Sequence, residues 1–184
     1  MTDQRKRIHP HKFTLWVGIG SITMMFAGLT SAYIVKRNLA NWITFDLPLI
    51  FWYSTVIIIL SSLTILIGRN HFKQGEMAKY RQWLSITTGL GILFVVTQTL
   101  GFINLWNNGI TLTRNVSFSF LYIIVGLHAL HVVAGLIALL VILGRSFSSR
   151  RKLYSTIQID LMSTYWHFVG FLWIYLLIFL VLIR

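Results

Sequence analysis

The sequence predicts an all-α integral membrane protein: a five-transmembrane-helix bundle with its N-terminus cytoplasmic and its C-terminus periplasmic. Three observations lead there: a composition too apolar for a water-covered surface, five long runs without charge, and a Lys/Arg pattern that alternates from loop to loop. Of the 184 residues, 56% are hydrophobic and only 11% are charged, well short of what a soluble domain spreads over its surface. Seven Trp and seven Tyr suit the membrane–water boundary, where an amphipathic ring keeps one end wet. The formal net charge of +12 would fit a nucleic-acid binder if the cations formed a surface. They fall instead in short blocks between apolar runs, so no nucleic-acid partner is expected. The chain has no Cys, which removes disulfides, thiolate metal sites and a Cys nucleophile.

The uncharged runs are Phe13–Val35, Leu47–Gly68, Gln82–Thr113, Asn115–Gly144 and Leu161–Ile183. Each reaches the ~20 residues a helix needs to cross the hydrocarbon core. Lipid offers no partner to a free backbone amide, so each run is expected to be helical whatever its intrinsic propensity. The expected organisation is a basic cytoplasmic tail at 1–12 and a membrane domain at 13–184, with helices at about 13–35, 47–68, 82–106, 116–144 and 161–183. The first run is too long for the apolar core of a cleaved signal peptide and is read as retained. Pro48 is expected to open the second helix, where its missing N–H costs nothing. Orientation follows from the cations. Arg5, Lys6, Arg7 and Lys12 in the tail, Arg69, Lys73, Lys79 and Arg81 in the second loop, and Arg145, Arg150, Arg151 and Lys152 in the fourth lie on one side. Lys36, Arg37, Arg114 and Arg184 lie on the other. Positive charge stays cytoplasmic during insertion, which puts the N-terminus inside.

Chemistry is sparse within the spans. Asp3, Asp46, Glu76 and Asp160 all lie outside the runs or at their ends, which weighs against an ion-coupled transporter acting alone. Three histidines remain. His128 and His131 lie near the middle of the fourth helix, and His167 is expected closer to the cytoplasmic surface on the fifth. Such a trio suggests a metal site or a free-standing bis-His membrane cytochrome. The favoured reading is structural: neutral imidazoles bonding across helices to groups such as Thr164 or Tyr165. Tyr165, Trp166 and Trp173, with the basic loop Arg150, Arg151 and Lys152, suggest lipid headgroup contacts. Gly18, Ser21, Gly28 and Ala32 on the first helix, and His128, His131, Gly135 and Ala138 on the fourth, form small-residue or His faces expected to pack inside the bundle.

Two motifs make the chain recognisable. Helix four reads Gly126-Leu127-His128-Ala129-Leu130-His131-Val132-Val133-Ala134-Gly135, and helix five reads Tyr165-Trp166-His167-Phe168-Val169-Gly170-Phe171-Leu172-Trp173. Together they resemble subunit III of the haem-copper terminal oxidases, the cytochrome c oxidase subunit III family. Phe26-Ala27-Gly28, Ala32-Tyr33, Ser61-Ser62, Leu90-Gly91, Phe94 and Gln98 add weaker matches. The resemblance implies a noncatalytic subunit in the bacterial inner membrane, with haem and copper in partner subunits and no redox centre or metal of its own. It implies direct contact with subunit I, membership of a complex with subunit II, structural phospholipid in a cleft, and protection of the oxidase during aerobic respiratory electron transport. The chain resembles a short five-helix form of the family; the same subunit in a quinol oxidase is the alternative. His128, His131, Tyr165, Trp166, His167, Trp173, Arg150, Arg151, Lys152 and Asp160 become candidates for lipid or subunit contact. Asp160 is expected to pair with a base at the cytoplasmic surface. Two carboxylates common in relatives are replaced here by Ile22 and Gly170, so any effect on proton uptake is expected to be indirect.

Overall fold

The structure, a computed structural model, describes residues 10–38, 42, 47–147 and 156–183. Those residues form five helices: α1 (Pro10–Arg37), α2 (Ile50–Lys73), α3 (Met77–Asn107), α4 (Val116–Phe147) and α5 (Thr156–Leu182). All five are long and apolar enough to cross a membrane. Most overrun the uncharged stretches, because a helix does not stop where hydrocarbon ends. Pro10, His11 and Lys12, assigned above to the tail, form the first turn of α1, with proline where no amide is needed. α3 begins early enough to include Lys79 and Arg81, and α5 early enough to include Asp160. Pro48 falls in the turn before α2 rather than in the helix; its carbonyl accepts the Phe51 N–H at 3.1 Å.

α2 packs on α3 and α5, and α4 packs on the same two helices, so α2, α3, α4 and α5 close into a ring. α1 lies outside it and, among the described residues, meets α4 and α5 alone. The α2–α3 pair approaches closely at both ends through glycine. A Cβ on Gly68 would meet the Trp83 Cβ at 3.2 Å, and one on Gly101 would meet the Phe51 ring at 3.0 Å. Small residues admit such approach where lipid supplies no hydrophobic drive.

α1 departs from the expected packing. Gly18, Ser21 and Gly28 are exposed, and an added Cβ at Gly18 or Gly28 meets nothing within 4 Å. The buried face is Phe26, Thr30 and Tyr33. Tyr33 sets its ring edge-on to Trp42, Phe120 and Phe179, at centroid distances of 4.7, 6.1 and 5.4 Å. Aromatic volume, not backbone proximity, fixes which side of α1 turns inward.

The turns after α2 and α3 end in the same way. Gly75 and Gly109 adopt φ of 79° and 76°, a conformation natural only to glycine. The amides that follow fold back onto the last carbonyls: Gly75 N to Phe72 O and Glu76 N to His71 O, then Gly109 N to Trp106 O and Ile110 N to Leu105 O. These bonds satisfy helix-end carbonyls that would otherwise lack partners. Gly109→Ala combines the wrong backbone preference with a Cβ only 2.8 Å from the Arg114 guanidinium. It is expected to cost about 1 kcal/mol or more, measured as a lower unfolding midpoint in detergent.

Glu76 adds a pH dependence to the first turn. Its carboxylate accepts hydrogen bonds from Lys79 Nζ at 3.0 Å and His71 Nδ1 at 2.6 Å. Lys79 and then His71 hold its pKa below the ordinary 4.5. A depressed carboxylate stabilises the folded turn above the unfolded pKa, and the contribution fades as pH falls through the folded value. Amide exchange at Gly75–Lys79, corrected for intrinsic rates, is therefore expected to accelerate below pH 4.5. Glu76→Gln is expected to remove that acid dependence.

Candidate subunit and lipid contact sites

Trp166 occupies the centre of the ring and is fully buried. Its indole Nε1 donates to Ser61 Oγ on α2 at 2.9 Å. The ring lies where glycine clears space on two further helices. A Cβ on Gly91 of α3 would stand 3.0 Å from the Trp166 ring, and one on Gly135 of α4 would stand 3.3 Å from it and 2.9 Å from Tyr165. One α5 side chain thus touches α2, α3 and α4 together. Ser61 passes the link onward, donating to the Thr87 carbonyl at 3.4 Å, while Thr64 and Thr87 share a hydroxyl bond at 2.9 Å.

Two turns along α5, Trp173 Nε1 donates to Thr55 Oγ1 at 2.9 Å, and nearby Gln98 Nε2 donates to Ser54 Oγ at 2.9 Å. His128 stacks on Trp173 with centroids 5.3 Å apart and interplanar angle 28°, and takes Phe26 and Phe94 edge-on at 6.5 and 6.3 Å. Neither of its ring nitrogens has a hydrogen-bond partner among the described residues. His131 Nδ1 turns to its own helix, 2.7 Å from Leu127 O. Tyr165 donates to the His131 backbone carbonyl at 3.0 Å, and Thr164 donates to Asp160 O. The cross-helix imidazole bonds to Thr164 or Tyr165 expected from sequence therefore do not form. Aromatic packing holds His128 instead.

The contact candidates divide by burial. His128, Trp166 and Trp173 are 1%, 0% and 1% exposed, and their neighbours are this chain's own helices. Their polar edges find hydroxyl or aromatic partners inside the ring, which a lipid-facing belt residue would not need. Trp173, which stacks on His128, lies six residues beyond His167 along α5, so His167 sits nearer than His128 to the end that carries the Arg69–Asp160 pair. His128 faces α1, α3 and α5, whereas His167 lines the groove between α2 and α5. No cluster of three His, Cys, Asp or Glu side chains suited to a metal occurs among the described residues. Asp160 pairs with Arg69 across α5 and α2, Oδ1 to Nε at 2.6 Å, with both side chains partly exposed. Arg150, Arg151 and Lys152 lie outside the described residues.

Known proteins resemble this chain over nearly its whole length. Residues 37–183 match the family model for cytochrome c oxidase subunit III. The chain belongs to the cytochrome c oxidase subunit III family. It is 33% identical to cytochrome c oxidase subunit 3 of Corynebacterium diphtheriae, covering 88% of this chain and 85% of that one. It is 28% identical to the Bacillus sp. strain PS3 subunit, covering 88% and 80%, and 29% identical to that of Bacillus subtilis strain 168, again covering 88% and 80%. Membership and five apolar helices make it a multi-pass membrane protein, one that works in a complex with other oxidase subunits.

Depressions mark the outer surface of this subunit III chain. Between α1 and the α4–α5 pair, adjoining cavities of about 450 and 480 Å³ share Leu15, Gln158, Leu161 and Tyr165. His11 and Arg145 stand at their margins. Between α2 and α5 a groove of about 610 Å³ runs past Ser62, His167 and Gly170. Sequence reasoning missed the Ser54–Gln98, Thr55–Trp173 and Thr30–Tyr175 links. The available signal was polar residues recurring within apolar runs, since each must find a partner in lipid.

His128 and Trp166 give contrasting expectations. His128→Ala leaves a void among Phe26, Phe94 and Trp173 and is expected to cost about 2–3 kcal/mol. His128→Leu keeps most of the volume and discards two unpartnered nitrogens, so it is expected to stay within about 1 kcal/mol of wild type. Trp166→Ala is expected to cost on the order of 3 kcal/mol or more. Thermal unfolding of the purified complex, with loss of this chain as readout, ranks the three.

Proposed function

We propose that this chain is a noncatalytic subunit III of a bacterial cytochrome c oxidase in the inner membrane. It stabilises catalytic subunit I and holds structural phospholipid during aerobic electron transport. The observation that carries the reading is the family match across residues 37–183. The interior supports it: the carboxylates described lie at helix ends, and the central polar groups are hydroxyls, amides, indoles and imidazoles spent on packing. Twelve Lys and Arg fall on the side of the N-terminus and four on the other, which favours a cytoplasmic N-terminus and a periplasmic C-terminus.

The lipid site is the cleft between α1 and α4–α5. Leu15, Ile22, Leu161 and Ala138 give it apolar walls, while His11, Arg145 and Gln158 collect at the end that this orientation makes cytoplasmic. An acyl chain fits the walls, and a phosphate fits the cationic margin. Two measurements test the proposal. Oxidase stripped of this chain is expected to retain haem and copper and begin reducing oxygen at the normal rate, then inactivate sooner than the intact complex. A stripped complex with its metals but no initial turnover would assign the chain a larger role. Arg145→Gln is expected to lower the phospholipid retained per complex, read by native mass spectrometry; unchanged retention would remove this cleft as the lipid site.

A further inference from the structure

α1 is held along half of its length. Its buried residues, Phe26, Thr30 and Tyr33, all lie in the half that runs to Arg37. Phe26 sets its ring edge-on to His128 and His131, Thr30 Oγ1 shares a hydroxyl bond with Tyr175 Oη at 3.0 Å, and Tyr33 packs on Phe120 and Phe179. From Pro10 to Met25 no residue is buried, and the cavities of about 450 and 480 Å³ lie between this half and the α4–α5 pair. The two halves meet at Gly18-Ile19-Gly20-Ser21-Ile22-Thr23. An added Cβ at Gly18 or Gly20 meets nothing within 4 Å, so close approach of a neighbour accounts for neither glycine. Each weakens the helix relative to alanine. Ser21 and Thr23 turn their hydroxyls back onto the Val17 and Ile19 carbonyls at 3.0 and 2.8 Å, a pattern that favours bending. Glycine and serine together mark the places where helices kink.

We propose that the segment from Pro10 to Val17 is a hinged flap, which bends about Gly18–Thr23 while the clasp of Phe26, Thr30 and Tyr33 stays fixed, and so admits and releases the acyl chain of a phospholipid at the cleft between α1 and α4–α5. The inference rests on the reading of that cleft as the lipid site. Gly18, Ile19 and Ile22 line the cavity themselves, so a bend there changes its width directly. The facing walls are apolar, Leu15 and Ile19 against Leu161 and Ile142. Contact of that kind is non-directional and fixes no single separation. From Gly18 the helix reaches about 12 Å to Pro10, so a bend of about 20° moves that end by roughly 4 Å.

The chain has no Cys, so paired nitroxide labels report on chosen positions alone. Phe13→Cys on the flap and Ile86→Cys on α3, both exposed, are measured by electron–electron double resonance on the full chain in phospholipid nanodiscs. Val35→Cys with Val56→Cys, also exposed, reports the clasp half. The flap pair is expected to give a distance distribution broader by roughly 4 Å than the clasp pair. Gly18→Ala with Gly20→Ala is expected to narrow the flap distribution to the clasp's width. In the purified complex the same double variant is expected to slow exchange of bound phospholipid for a deuterated one, followed by native mass spectrometry, on the order of tenfold. Equal widths for the two pairs in the unaltered hinge would overturn the flap, and that comparison decides even where the double variant fails to insert. Exchange that keeps its rate when both glycines are replaced would overturn it too. A complex that retains no phospholipid in either background fails the cleft reading itself, which is distinct from one that retains lipid and exchanges it equally fast in both.

Discussion

In a bilayer, helices gain little from hiding apolar surface from one another, because lipid tails are equally apolar. Association then depends on close van der Waals fit and on polar groups that have nowhere else to bond. Trp166 meets both requirements at one point. Its indole fills the slot left by Gly91 and Gly135, and its N–H finds Ser61. The slot exists only while α3 and α4 stand at the right separation, and the hydrogen bond only while α2 faces α5. Ring spacing, rotation of α5 and orientation of α2 are thus coupled through a single side chain.

Around that point the bundle uses neutral chemistry. Thr55, Ser54 and Gln98 link the helices through hydroxyls and an amide, each worth well under the cost of burying an ion. The Arg69–Asp160 pair stands toward one end of the bundle, where partial exposure lets water share the charges. This division leaves no charged group to relay protons through the described interior, and it lets α5 be apolar on nearly every side.

Much of this was legible in the sequence. The five runs located every helix because the absence of charge over some twenty residues has few other physical meanings. Trp166, Gly91, Gly135 and Ser61 all fell within recognisable segments, yet their joint role was hidden, because it requires knowing which faces meet. The same gap explains α1: Gly18, Ser21 and Gly28 share a helical face, but periodicity does not say whether that face or the aromatic one turns inward. His128 misled for another reason. A polar side chain in lipid suggests a hydrogen bond, and here stacking on Trp173 takes its place. The pairing of Asp160 with a base was anticipated because an acid at a helix end beside several cations has an obvious counterpart; that the counterpart is Arg69 was set by the α2–α5 contact.

The position of α1 outside the ring bears on how the chain is made. Its neighbours, α4 and α5, leave the ribosome after α2 and α3, and the Thr30–Tyr175 bond spans 145 residues. α1 must therefore wait in the membrane, without these partners, while the α2–α3 hairpin closes behind it. The ring in turn stays open until Trp166 arrives, 105 residues after Ser61. A chain cut short before α5 would have neither Trp166 at the centre of this bundle nor the α5 half of the seat for α1.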